Sequence, residues 1–141
     1  MKNLVCCLVI SAFLLACTKE VKSPIEGAWQ MVYGQWQTVP AVFPTQVNGG
    51  QIKMFSKEHF TFVGQFKLDT MAQNNFGSGT YKFQGNQVEE KVVYSSDPGS
   101  ISQTFRLLIE FRNDTLIQKW PADENWSLPE KFNVEKYIRL N

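Results

Sequence analysis

The feature that most constrains the fold is a period-two alternation over 101–112. Ile101, Phe105, Leu107, Ile109 and Phe111 share one parity, while Ser102, Thr104, Arg106, Glu110 and Arg112 take most of the other. Successive side chains of an extended chain point to opposite faces, so this run has one apolar face and one wet face. It reads as a strand in a sheet with a single buried side. Short alternations of the same kind recur from Glu26 onward, separated by Gly, Asn, Asp, Ser and Pro, and no helical apolar stripe of useful length interrupts them. An all-β fold is expected.

The pattern predicts about eight strands, at 26–36, 51–56, 59–67, 78–84, 88–94, 101–112, 115–120 and 134–140. Gln84-Gly85-Asn86-Gln87 has the chemistry of a tight hairpin turn, because Gly and Asn tolerate positive φ; Asn113-Asp114 reads as the next turn but one. Sequential antiparallel strands in one small domain leave two open edges unless the sheet closes on itself. Closure gives an up-and-down barrel whose interior is just wide enough for side chains or one small ligand. A sandwich is the main structural alternative.

The N-terminus has a different character. Lys2 precedes an apolar run over 4–15, and a small residue stands before Cys17, which is the layout of a signal peptide. The run is shorter than the roughly 20 apolar residues that cross a bilayer core. Leu14-Leu15-Ala16-Cys17 resembles the lipobox of bacterial lipoproteins. That resemblance implies removal of 1–16 and acylation of Cys17 on its thiol and amino group, so that the chain's first partner is a lipid bilayer. Residues 17–24 then form the lipidated Cys and a polar tether, and 25–141 form the folded domain. Cys6 and Cys7 leave with the signal segment, which excludes a disulfide in the mature chain.

Of 14 Lys plus Arg, Lys2 is lost with the signal segment, leaving 13 against 13 Asp plus Glu. A balanced chain has no electrostatic footprint for nucleic acid. Thr18-Lys19-Glu20 lacks the acidic run that often accompanies surface export in similar lipoproteins. The expected location is the cell envelope, at the outer membrane facing the periplasm.

Gly27-Ala28-Trp29 opens the first strand and Arg139 sits in the last, and on these residues the domain resembles the lipocalin family, in particular the lipocalin-like domains of Bacteroidetes lipoproteins. The resemblance implies that Gly27 and Trp29 form the Gly-x-Trp motif and that Arg139 packs across the Trp29 ring to close the narrow end, a cation–π contact worth on the order of 1 kcal/mol. It also implies a long loop over the open mouth. The segment 37–50 fits that role, with Val39, Val42, Phe43 and Val47 apolar enough for a lid. The chain departs from the family in the short Pro-containing stretch before its last strand, which leaves little room for the long helix found there, and in having no cysteines for the usual disulfide.

Little in the sequence points to chemistry. His59 is the only histidine and stands beside a turn, so it lacks the companions of a zinc site and the partner of a general base. Glu89 and Glu90 are adjacent on a strand and face opposite ways, so they cannot form a catalytic dyad; Glu90 alone can face inward. Asp114, Asp123 and Glu124 lack calcium-loop spacing, and no phosphate loop is present. No catalytic residue, metal or cofactor is expected.

The aromatics are more informative. Phe60, Phe62 and Phe66 share a parity, as do Tyr81 with Phe83 and Phe105 with Phe111. Core and ligand cavity of a barrel are lined by the same inward face. Candidate ligand contacts are Trp36, Phe43, Phe60, Phe62, Tyr81, Glu90 and Phe105, with Trp120 and Trp126 as further residues of the mouth. The expected function is binding of a small hydrophobic or amphipathic molecule. The alternative is an envelope interaction or structural lipoprotein whose barrel is filled and takes no small ligand.

Overall fold

The computed structural model describes residues 22–43, 48–68 and 71–141. The expected signal segment 1–16, Cys17, most of the expected tether, and Val47 of the expected lid lie outside the described residues. Nine strands form one antiparallel sheet among them: β1 (Gly27–Trp36), β2 (Val39–Val42), β3 (Asn48–Phe55), β4 (His59–Leu68), β5 (Met71–Gln84), β6 (Gln87–Ser95), β7 (Thr104–Arg112), β8 (Thr115–Trp120) and β9 (Asn133–Leu140). Consecutive strands from β3 to β9 pair in order, and β9 returns to pair with β1, so eight strands close into an up-and-down barrel. The ninth, β2, folds back on the end of β1.

The hairpins follow from their turn residues. Gln84 pairs with Gln87 across a two-residue loop in which Gly85 has φ +63°. Arg112 pairs with Thr115 across Asn113 at φ +52°. Asn is among the few side chains that tolerate this left-handed conformation.

The run expected at 101–112 is a strand only from Thr104, because Pro98–Ser100 form a short 3-10 turn and Ser102 takes φ +69°, which leaves Ile101 exposed before β7. Two further stretches differ from the expected strands. The segment 37–50 is not wholly loop: Gln37 and Thr38 make a tight turn, and Val39 to Val42 pair with Trp36 to Tyr33 as an outer strand. Pro40 is tolerated there because β2 is an edge strand. The second difference is β5, which begins at Met71 rather than at Ser78. Its first half, with Gln73, Asn74 and Asn75, has no apolar alternation; pairing with 63–68 of β4 holds it extended.

The narrow end of the barrel is packed solid. Trp29, Tyr137, Phe60, Ile25, Met31, Leu116 and Val88 are all but fully buried, and Phe55 meets Tyr81 edge-on at 5.1 Å. Ile25 lies under the barrel and its carbonyl accepts the Trp29 indole N–H at 2.8 Å. The Arg139 guanidinium lies 4.1 Å from the Trp29 ring centre and donates to the carbonyls of Pro24 and Glu26 at 2.7 and 2.8 Å. Gly27 makes this possible: a Cβ there would come within 2.6 Å of Arg139 Nη1, and its φ of +131° suits glycine alone.

Candidate ligand-binding site

Above that plug the inward face of the barrel turns polar. On β3 the positions two and four residues before buried Phe55 are Lys53 and Gln51; on β8 Gln118 lies between Leu116 and Trp120; on β9 Glu135 precedes Tyr137 by two. All are buried, together with Glu90 of β6. A buried charge must be paired and hydrogen-bonded, and these residues form two hydrogen-bonded groups side by side, Lys53 of one lying close enough to Glu135 of the other to attract its carboxylate. Lys53 Nζ is 2.7 Å from Glu90 Oε1, donates to Glu90 Oε2 at 3.0 Å and to Gln118 Oε1 at 3.1 Å, and stands 5.3 and 5.5 Å from the ring centres of Phe55 and Phe60.

The second group runs in one direction. Asn75 Nδ2 donates to Gln51 Oε1 at 2.7 Å, Gln51 Nε2 donates to Tyr137 Oη at 2.8 Å, and Tyr137 Oη–H donates to Glu135 Oε2 at 2.8 Å. Glu135 is thus a terminal acceptor, and the Trp120 side chain supplies a further hydrogen bond. Loss of hydration raises the Glu135 carboxyl above its ordinary value, against the pull of Lys53 and these hydrogen bonds, with Glu90 pushing the same way as burial. The Tyr137 hydroxyl is pushed well above its ordinary value, by burial first and then by Glu135.

Gln51, Lys53, Glu90 and Glu135 of these groups form the floor of a cavity of about 270 Å³ in the wide half of the barrel. Its walls are Trp36, Phe62, Phe105, Leu107 and Trp120, with Phe105 edge-on to Trp120 at 6.0 Å; Asn75, Asp97 and Ser100 stand toward the rim. Two local devices shape it. A bulge in β1 between Met31 and Tyr33 switches the inward parity, so that Trp36 joins Trp29 on the inside although the two are an odd number of positions, seven, apart. Gly77, opposite Phe62 in the sheet, leaves room for that ring: a Cβ there would lie 2.5 Å from it.

Outside this chamber lies a second space of about 520 Å³, lined by Val39, Pro40, Ala41, Phe43 and Phe66 and sharing Trp36, Asn75 and Asp97 with the first. Trp36 stands edge-on to both Phe43 and Phe66, at 6.1 and 6.2 Å. The strand β2 therefore contributes a wall at the mouth.

Of the sequence candidates, Trp36, Phe62, Glu90 and Phe105 line the inner chamber and Trp36 and Phe43 the outer one. Phe60 and Tyr81 line neither: they lie in the packed end, below the ion-pair layer, and the Tyr81 hydroxyl is spent on the Ser56 carbonyl at 2.6 Å. Trp120 is a wall of the cavity, whereas Trp126 belongs to the loop before β9. Glu89 faces outward and pairs with Arg106 at 3.0 Å, and His59 is exposed. Lys53, Gln51, Asn75, Gln118, Glu135 and Tyr137 were not singled out. The available signal was a polar residue at an inward parity position, two places from an apolar one.

Among the described residues no group of three or more His, Cys, Asp or Glu side chains is placed to hold a metal. On the outer face, cross-strand neighbours Ile52, Val63 and Phe76 form an apolar surface, and Met54, Val93 and Tyr94 line a groove of about 660 Å³. Comparison with protein-family models gives no match, and comparison with curated proteins gives none either.

Proposed function

We propose that the chain is a lipid-anchored, lipocalin-like binding module of the cell envelope that holds a small amphipathic molecule in the wide end of its barrel. The observation that carries this reading is the pair of adjoining chambers: the inner one has a polar floor and aromatic walls, the outer one apolar sides and a shared Trp36. Few convergent polar groups in an otherwise apolar concavity are the usual form of a small-molecule site. The inner chamber is slightly smaller and much more polar than a purely hydrophobic cargo calls for. A molecule with one polar end fits better. The reading asks for binding only, with Cys17 as the membrane attachment and the periplasmic side of the outer membrane as the location.

The test is native mass spectrometry of the protein released from its host's membranes, before and after exposure to a lipid and metabolite extract. A discrete retained mass that is lost on Trp36→Ala supports the reading; a bare protein mass throughout sinks it. Labelling with radioactive palmitate, abolished by Cys17→Ser, tests the anchor separately.

A second reading, a protein-docking lipoprotein, is favoured by the apolar outer face of β3 to β6, where Val63, Phe76 and Tyr94 are about half or more exposed. Crosslinking in cells from Phe76 separates it from the first: a captured envelope protein supports docking, and none counts against it.

A further inference from the structure

The charges around the two chambers do not balance. The lining side chains include three carboxylates, Glu90, Glu135 and Asp97, and a single cation, Lys53. That ammonium is already committed to both oxygens of Glu90 and to the Gln118 amide. Glu135 is left without a partner cation of its own, although only 8% of it is exposed.

The hydrogen-bond direction adds a second, independent observation. Asn75, Gln51 and Tyr137 each donate onward toward Glu135, so the floor of the cavity presents an acceptor at the end of an aligned chain of donors. These donors, with Trp120, stabilise a negative charge on Glu135, and a carboxylate keeps lone pairs for a further donor. The walls, Trp36, Phe62, Phe105 and Trp120, are aromatic, and an aromatic ring attracts a cation that lies over its face. A carboxylate head group would meet two buried carboxylates and a lysine that is already paired. A positively charged one would meet a carboxylate that has hydrogen-bond donors but no cation in contact with it, and aromatic rings.

We propose that the occupant of the barrel carries a protonated amine that seats on Glu135, with its apolar body between Trp36, Phe105 and Trp120. The proposal rests on the small-molecule reading above and narrows it to organic cations. Burial raises the Glu135 carboxyl above its ordinary value, so it takes up a proton more readily than an exposed carboxyl; the groups that face it are Lys53 of β3, Glu90 of β6, Trp120 of β8 and Tyr137 of β9. With an amine bound, the ligand's charge takes the proton's place. Where that carboxyl holds a proton, amine binding displaces it.

The test compares three probes of one shape, 2-phenylethylamine, 2-phenylethanol and 3-phenylpropionate, titrated by calorimetry into the full chain as its host processes it, held in lipid nanodiscs. The amine is expected to bind at least tenfold more tightly than the alcohol and the acid most weakly. Titrating the amine in buffers of different ionisation enthalpy is expected to reveal proton release. In Glu135→Gln the ratio of amine to alcohol affinity is expected to fall to within about twofold. If the acid or the alcohol matches the amine in the unaltered protein, the cation assignment is overturned and the cavity reading survives. If the amine preference survives Glu135→Gln, the seat on Glu135 is overturned. If none of the three binds, the small-molecule reading itself fails. The comparison in the unaltered protein decides the matter even where the variant does not fold.

Discussion

Lys53 Nζ lies 2.7 Å from Glu90 Oε1 in the middle of the barrel, joining strands β3 and β6 that are not neighbours in the sheet. The pair closes off the packed narrow half beneath it and forms part of the cavity floor above. A buried pair of this kind is costly to break on one side, because the remaining charge is left desolvated and alone.

Lys53→Met is expected to lower unfolding free energy by about 3–5 kcal/mol, since it leaves Glu90 and Glu135 facing one another without a cation. Adding Glu90→Leu is expected to recover most of the loss. Urea denaturation of the two single variants and the double variant measures the coupling, and losses that simply add would show the pair to be energetically idle.

The pH dependence has a definite sign. Glu135 has a raised folded-state pKa, so between its ordinary value near 4.5 and that higher value the folded protein holds more protons than the unfolded one. Stability from this residue is complete below the ordinary value and falls as pH rises through the window. Asp97 and Glu110 act in the opposite sense: hydrogen bonds from Ser100 and Arg112 hold their carboxyls low, so their contribution is present above the ordinary value and fades in acid. The quantity to read is the difference between the unaltered protein and Glu135→Gln, which is expected to flatten the decline. Thermal melts across pH 4–8 would show it.

At the alkaline end Tyr137 works likewise. Its hydroxyl is pushed well above 10, chiefly by burial and then by Glu135, so the neutral phenol is the form the fold accepts. Stability is expected to fall above about pH 10 as the unfolded chain loses this proton first. Tyr137→Phe should remove that part of the decline, and melts at pH 9 to 11 would check it.

Closure of the narrow end rests on Arg139. Arg139→Ala removes the stacking on Trp29 and two hydrogen bonds to the chain beneath the barrel, and is expected to cost about 2 kcal/mol. Gly27→Ala should cost at least as much, because its Cβ collides with the guanidinium and its backbone conformation is unfavourable for any other residue. Chemical denaturation together with Trp29 fluorescence would report both effects.

Two glycines separate cavity shape from barrel integrity. At Gly34 a Cβ would meet only the far edge of the Trp36 ring, at 2.8 Å, and that ring is partly exposed and can swing outward. Gly34→Ala is expected to cost under about 1 kcal/mol while making Trp36 more accessible to acrylamide quenching. At Gly79 a Cβ would fall 1.9 Å from the Lys91 carbonyl oxygen in the next strand. Gly79→Ala is expected to cost about 3 kcal/mol or more, because backbone must move. Equal losses at the two sites would contradict this account.

Much of the architecture was legible in the chain itself. Alternation in Phe105, Leu107 and Ile109 and turn residues such as Gly85 and Asn113 are local signals, and a sheet of short antiparallel strands has few ways to hide its edges other than closing. The apolar identity of Trp29 and Phe60 likewise marks them for the inside wherever the strands go. The strand at 71–77 escaped notice because Gln73 to Asn75 carry no alternation and owe their extended form to pairing with β4.

The character of the wide end was decided only by tertiary structure. Lys53, Glu90, Gln118 and Glu135 lie on four separate strands, and nothing local brings them together; closure of the barrel does, and burial then forces them to pair. Trp36 reaches the cavity because one bulge in β1 reverses the parity that Trp29 establishes. Periodicity along a strand assigns a side chain to a face, whereas which side chains meet across a barrel depends on register, bulges and closure, all of them relations between strands.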